Sequence, residues 1–153
     1  MQTKEEKALE LFSGSYNCSQ SVLGAFCEDI GLDLDTALKI ACGFGGGGMR
    51  YKQTCGAVSG AMMVIGLKCG QYIKGDTKAK GYCYKKIQEF TDKFKEKYGS
   101  VICCKLLVGD KDIDEEMKND PVKTKSLFTS VCPEYVKTAV QILENMEFQE
   151  ENI

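Results

Sequence analysis

Residues 77–98 read TKAKGYCYKKIQEFTDKFKEKY, and this stretch decides the fold class. Cys83, Ile87, Phe90, Phe94 and Tyr98 recur at intervals of four, three, four and four. That is the period of one face of an α-helix, because residues three and four apart stack on the same side. The remaining positions are mostly Lys, Glu, Asp and Gln, which can stay in water. Asp76 precedes the run as an N-cap and Gly99 follows it as a stop.

The same period repeats on both sides of this helix. It predicts helices over 3–13, with Ala8, Leu9, Leu11 and Phe12 on one side, and over 18–30, with Val22, Leu23, Phe26 and Ile30. Asn17 and Gln20 form a capping-box pattern at the start of the second, and Gly31 ends it. Further helices are predicted over 34–42, 55–69, a short run after Ser100 carrying Val101 to Leu107, and 133–147. Thr54 is the expected N-cap of the helix over 55–69, and Pro133 suits the first position of the last helix. The acidic stretch 110–120 reads as a surface loop with a helical turn. Strand-like alternation does not run for any useful length. The expectation is a single Cys-rich all-α domain over 1–153, a bundle of about six helices with a Gly-rich loop before the central helix.

Composition narrows the chemistry. At 153 residues, 43% hydrophobic and 27% charged with two Pro, the chain is of globular type. A net charge of −2 and a pI near 5.3 speak against a nucleic-acid partner. His is absent, which excludes a His general base, a Cys-His pair, a c-type haem motif and a Cys/His zinc finger. The charged N-terminus does not read as a secretory signal, and the uncharged run 53–67 is too short and Gly-interrupted to cross a bilayer. The expectation is a soluble cytoplasmic protein without a membrane partner.

What remains is sulfur. There are nine Cys, an odd number that no closed disulfide framework can use up. In a reducing compartment such a content means metal binding, redox chemistry or core packing. Placed on the predicted helices, Cys18, Cys55, Cys103 and Cys132 fall at helix starts. The unpaired N–H groups and positive dipole end there favour thiolate. Cys27, Cys42 and Cys69 fall towards helix ends and Cys83 on an apolar stripe, and all four read as packing. Cys103 and Cys104 are neighbours that point about 100° apart on a helix, so one of them should be buried and the other not.

The tract Gly43-Phe44-Gly45-Gly46-Gly47-Gly48 matches G-x-G-x-x-G, but a helix precedes it rather than a strand, and the next acid is Asp76. Dinucleotide binding is therefore not the reading. The tract instead lets the backbone approach something closely, which makes Gly45, Gly46, Gly47, Gly48 and Arg50 candidates for holding a bound group. No acid lies between Ala37 and Gly75, while Lys39, Arg50, Lys52, Lys68 and Lys74 do. The expectation is a positive field around Cys55, with Arg50 and Lys52 as activators and Cys55 as the most acidic thiol and nucleophile. Gly56, Ala57, Gly60 and Ala61 keep the helix over 55–69 narrow. That suits tight helix packing, a homodimer interface, or room for a group beside Cys55.

These residues carry a resemblance. Cys18 lies in Tyr-Asn-Cys-Ser-Gln-Ser-Val-Leu, Cys55 in Thr-Cys-Gly-Ala-Val-Ser-Gly-Ala, Cys103 in Gly-Ser-Val-Ile-Cys-Cys-Lys-Leu-Leu, and Cys132 at the head of the last helix. The combination resembles the redox-active protein family named for its Cys, Gly-Cys-Ala-x-x-Gly, Cys, Cys pattern, over about residues 5–146. At the centre the order is Thr54-Cys55-Gly56-Ala57-Val58-Ser59-Gly60, so the Cys matches while its neighbours are permuted. The resemblance implies Cys18, Cys55, Cys103 and Cys132 as the functional positions. A related domain occurs in a cytochrome, but this chain lacks the His and the Cys-x-x-Cys-His for that haem. Three readings stay open: thiol–disulfide or electron-transfer chemistry with an unidentified redox partner; an iron–sulfur cluster or other thiolate-bound metal on Cys18, Cys55, Cys103 and Cys132; and a non-catalytic Cys-rich interaction domain.

Overall fold

The computed structural model describes residues 1–48 and 51–149, and the described chain is all-helical. Its α-helices are α1 (Lys4–Ser13), α2 (Cys18–Phe26), α3 (Leu34–Ala41), α4 (Gly56–Cys69), α5 (Thr77–Tyr98), α6 (Cys103–Val108), α7 (Ile113–Asn119), α8 (Pro121–Ser130) and α9 (Cys132–Asn145). Two 3₁₀ segments, Glu28–Ile30 and Cys42–Gly47, link them. The helix count among the described residues is higher than the six expected. The helix read over 18–30 breaks after Phe26, the acidic stretch forms α7, and α8 occupies a stretch for which no element was expected. Asp112 caps α7 through the N–H groups of Asp114 and Glu115, and Asp120 caps α8 ahead of Pro121.

Capping decides where the long helices begin. Asn17 accepts from the Gln20 N–H at 2.9 Å while the Gln20 side chain accepts from the Asn17 N–H at 3.0 Å, the reciprocal pair that the sequence predicts. Asp76 accepts from the Ala79 N–H at 3.0 Å to start α5, and Gly99 at φ 81 ends it in the left-handed region.

At the centre lies α2, buried from Ser19 to Phe26, packed against α1, α3, α4 and α9. Its approach to α4 depends on glycine. A Cβ on Gly60 would stand 2.8 Å from the Ser19 carbonyl oxygen and 3.2 Å from its Cα. The small residues of α4 therefore serve a close helix crossing within the chain. On the far side, α5 meets α9 through aromatic contacts: Tyr98 lies edge-on to Tyr135 at 4.8 Å, and its hydroxyl is 2.6 Å from that of Thr138.

The buried side chains form two clusters. The large one takes Val22, Leu23, Phe90, Phe94, Val136, Leu143 and their neighbours. The small one is Cys103, Leu107, Ile113 and Cys132, and Phe12 packs against both. Where the two clusters meet, the fold leaves a cavity.

Candidate functional site

That cavity holds about 260 Å³. Four elements reach it: Cys18 from the start of α2, Cys55 from the start of α4, Cys103 from the start of α6 and Cys132 from the start of α9. Aromatic rings of Phe12, Tyr16, Tyr51, Phe128 and Tyr135 make up much of the remaining wall. Among the described residues that line it, none carries a formal charge.

A short backbone pairing brings Cys55 and Cys103 together. Residues 51–55 run antiparallel to 101–104: the Cys55 N–H donates to the Val101 carbonyl (2.7 Å), the Cys103 N–H to that of Gln53 (2.9 Å) and the Cys104 N–H to that of Tyr51 (2.6 Å). These bonds splice the start of α4 to the start of α6. Cys18 reaches the same place because Gly56 has no side chain; a Cβ there would lie 2.6 Å from the Cys18 sulfur.

The glycine tract closes one wall. Gly46, Gly47 and Gly48 have φ of 62°, 69° and 69°, the left-handed region that glycine tolerates best. A Cβ on Gly47 would stand 2.6 Å from that of Cys103, and one on Gly45 would overlap the side chain of Asn17. Asn17 in turn donates through Nδ2 to the Cys42 carbonyl at 2.9 Å. Of the glycines expected to hold a bound group, Gly46 lines the cavity, while Gly45 and Gly47 let the tract pack onto Asn17 and Cys103. Around Gly48 a Cβ would meet nothing closer than 3.9 Å. Arg50 lies outside the described residues.

The electrostatics correct the expected reactivity order. Cys55 is 4% exposed and is the N-cap residue of α4, not a first-turn residue behind a Thr54 cap. Burial pushes its thiol up to about 12, and the neighbouring Cys18 adds to the rise. The amides of Ala57 and Val58 pull the other way and lose. Desolvation outweighs the helix start because a helix terminus contributes only about 2 kcal/mol even in a favourable partly buried geometry. Lys52, expected as an activator, pairs with Asp114 of α7 at 2.7 Å. Burial also pushes Cys132 up to about 12 and raises Cys103 strongly. Cys55 is therefore not the most acidic thiol. Of the four, Cys18 is the one that keeps partial exposure. The sulfurs are close enough that charging one makes charging its neighbours costlier: Cys18 acts in this way on Cys55, Cys103 and Cys132.

The other cysteines divide differently from the expectation. Cys27 and Cys83 are buried as packing residues should be, whereas Cys42 is exposed and Cys69 half-buried. Cys103 is buried and its neighbour Cys104 half-buried. Sequence reasoning missed three cavity residues of note. Tyr51, at φ 70, meets the Phe128 ring in a tilted contact with centroids 5.2 Å apart. Phe128 rides on α8, which Asp120-Pro121 could have signalled as a helix start. The Tyr135 hydroxyl donates to the Leu106 carbonyl at 2.6 Å, fixing α9 to α6.

Four sulfurs make a donor set that suits a soft metal or an iron–sulfur cluster. Among the described residues, however, no group of three or more His, Cys, Asp or Glu is arranged to hold a metal ion. As folded, the site does not present a ready ligand set. No described helix is long and apolar enough to cross a membrane.

An all-helical domain that gathers cysteines from four helix starts around one apolar cavity belongs to the class of cysteine-centred helical proteins. More narrowly, the family described as "Putative redox-active protein (C_GCAxxG_C_C)" matches residues 16–146, and the chain belongs to it. No curated protein and no solved structure matches the chain.

Proposed function

We propose that the protein carries out thiol–disulfide redox chemistry in the four-cysteine cavity, with Cys18 as the thiol that meets the substrate. One observation carries this reading: four sulfurs from distant parts of the chain line one cavity, and Cys18 alone among them is partly exposed. Exchange needs an accessible attacking sulfur and a second sulfur within reach to resolve the product. The Cys18 thiolate attacks one sulfur of a substrate disulfide, and the other leaves as thiolate and takes up a proton. Cys55, Cys103 or Cys132 then attacks the Cys18 sulfur and expels the remaining substrate thiol. Two electrons pass to the substrate, and the cavity keeps a disulfide that an external dithiol partner reduces. Burial pushes Cys55 and Cys132 up to about 12, so these two rest as neutral S–H groups at neutral pH.

The test starts from protein purified without oxygen, with iron and sulfide analysis followed by titration with a dithiol–disulfide buffer and mass-spectrometric mapping. The expected result is colourless protein whose first cavity disulfide includes Cys18. Among the four cavity thiols, Cys18 should be alkylated first at pH near 7. Iron and sulfide in stoichiometric amount, with all four thiols protected until the metal is chelated, would overturn the reading in favour of a cluster.

A further inference from the structure

A second pair of cysteines meets far from the cavity. Cys69 is the last residue of α4 and Cys83 lies in the second turn of α5. The two helices pack together, Cys83 belongs to the buried core against which Cys69 packs, and the thiols are near enough that Cys83 disfavours charge on Cys69. Cys69 further donates to the Ile65 carbonyl at 3.2 Å, which holds its sulfur in place. Since Cys55 caps the other end of α4, the fourteen residue steps from Cys55 to Cys69 put the two sites about 21 Å apart at 1.5 Å per residue. Direct exchange between cavity sulfurs and this pair is out of reach. Neither residue belongs to the four-cysteine set.

We propose that Cys69 and Cys83 are a second, independent dithiol site, which an anionic low-molecular-weight disulfide entering the cleft beside Cys69 converts to a disulfide. That cleft holds about 550 Å³ and is lined by Lys68, Cys69, Tyr72, Asp76, Lys78 and Tyr82, among others. Cys69 borders it, while Cys83 is 8% exposed behind. Access therefore assigns the order. The Cys69 thiolate attacks the small disulfide, forming a mixed disulfide and releasing one thiol. Cys83 then attacks the Cys69 sulfur, releasing the second thiol and closing the Cys69–Cys83 bond. Two protein thiols are oxidised and one small disulfide is reduced to two thiols. Lys68 and Lys78 give the cleft the charge to receive carboxylates, and Lys68 and Lys86 favour the Cys69 thiolate against its burial. Burial, with Cys83 beside it, still pushes Cys69 up to about 12. The reaction should therefore speed up as pH rises and the thiolate fraction grows.

The probe is oxidised glutathione, added to fully reduced protein without oxygen, with peptides mapped under non-reducing conditions. The expected product is a 69–83 cross-link that forms equally well in the Cys18→Ser variant. Cys83→Ser should hold glutathione on Cys69, and Cys69→Ser should leave Cys83 unmodified. The wild-type map decides the matter even if a serine variant fails to fold. Absence of the 69–83 link in wild-type protein after other cysteines have reacted would overturn the proposal. So would loss of the link in Cys18→Ser that still gives the native circular dichroism spectrum, since the two sites would then not be independent.

Discussion

Replacing Gly60 by Ala should test the close crossing on which the cavity depends, with Gly66→Ala on the same helix as its control. Both substitutions remove a glycine from a helix interior, which by propensity alone gains about 1 kcal/mol. At Gly66 a Cβ would meet nothing within 4 Å, so that gain should appear almost whole. At Gly60 the new Cβ would sit 2.8 Å from the Ser19 carbonyl oxygen, with Ser19 Cα and Val22 Cβ both at 3.2 Å. Two of those three atoms are backbone, so α2 itself must move. Overpacking of this kind costs about 1–3 kcal/mol. Set against the propensity gain, Gly60→Ala should be neutral to about 2 kcal/mol destabilising, and less stable than Gly66→Ala by about 1–3 kcal/mol. Urea unfolding of the reduced proteins measures the difference. Moving α2 also carries Cys18 away from Cys55, so Gly60→Ala should raise the alkylation rate of Cys55 while Gly66→Ala leaves it unchanged. Equal stability and equal Cys55 reactivity in the two variants would refute the claim that the glycine-mediated crossing sets the cavity.

Two further outcomes follow from the same geometry. Burial raises Cys55 and Cys132 from 9.0 to about 12, so the unfolded chain loses these protons first as pH rises. Stability of the reduced protein should therefore be full below about pH 9 and fall through the window from there to about pH 12, by roughly 2 kcal/mol per such thiol between pH 8 and pH 10.5; a flat profile in denaturant titrations would contradict the burial argument. Asn17→Ala removes both the cap of α2 and the bond to the Cys42 carbonyl, and should cost about 1–2 kcal/mol by urea titration while increasing hydrogen exchange in the glycine tract.

The fold was legible where one helix face is apolar and both ends carry caps. Residues 77–98 meet these conditions, and α5 forms over just that span. The helices α7 and α8 escaped because each buries a single side chain, Ile113 and Thr124, leaving no stripe to read. Their caps, Asp112 and Asp120-Pro121, were the signal available. At the site, the four helix-start cysteines could be picked out, since a helix start is local. What could not be read was depth. A charge argument built on sequence neighbours counts Lys52 towards Cys55, but the fold brings Asp114 to Lys52 and closes the core over Cys55. The pairing of residues 51–55 with 101–104 was equally hidden, because it is too short to show alternation and joins segments about fifty residues apart.

The smaller cluster of buried side chains has a consequence for timing. Cys103 and Cys132 supply two of its four buried members, so the sulfur atoms are themselves part of what holds α6, α7 and α9 together there. A unit this small opens at a fraction of the free energy needed to unfold the chain, and opens far more often. A disulfide from one of these sulfurs to Cys18 or Cys55, as the proposed chemistry would form, would tie the small unit to the large one and slow that breathing. On the proposed redox reading, the oxidation state of the cavity would then set how often its own wall opens, a coupling that hydrogen exchange of α6 and α7 in reduced and oxidised protein would read.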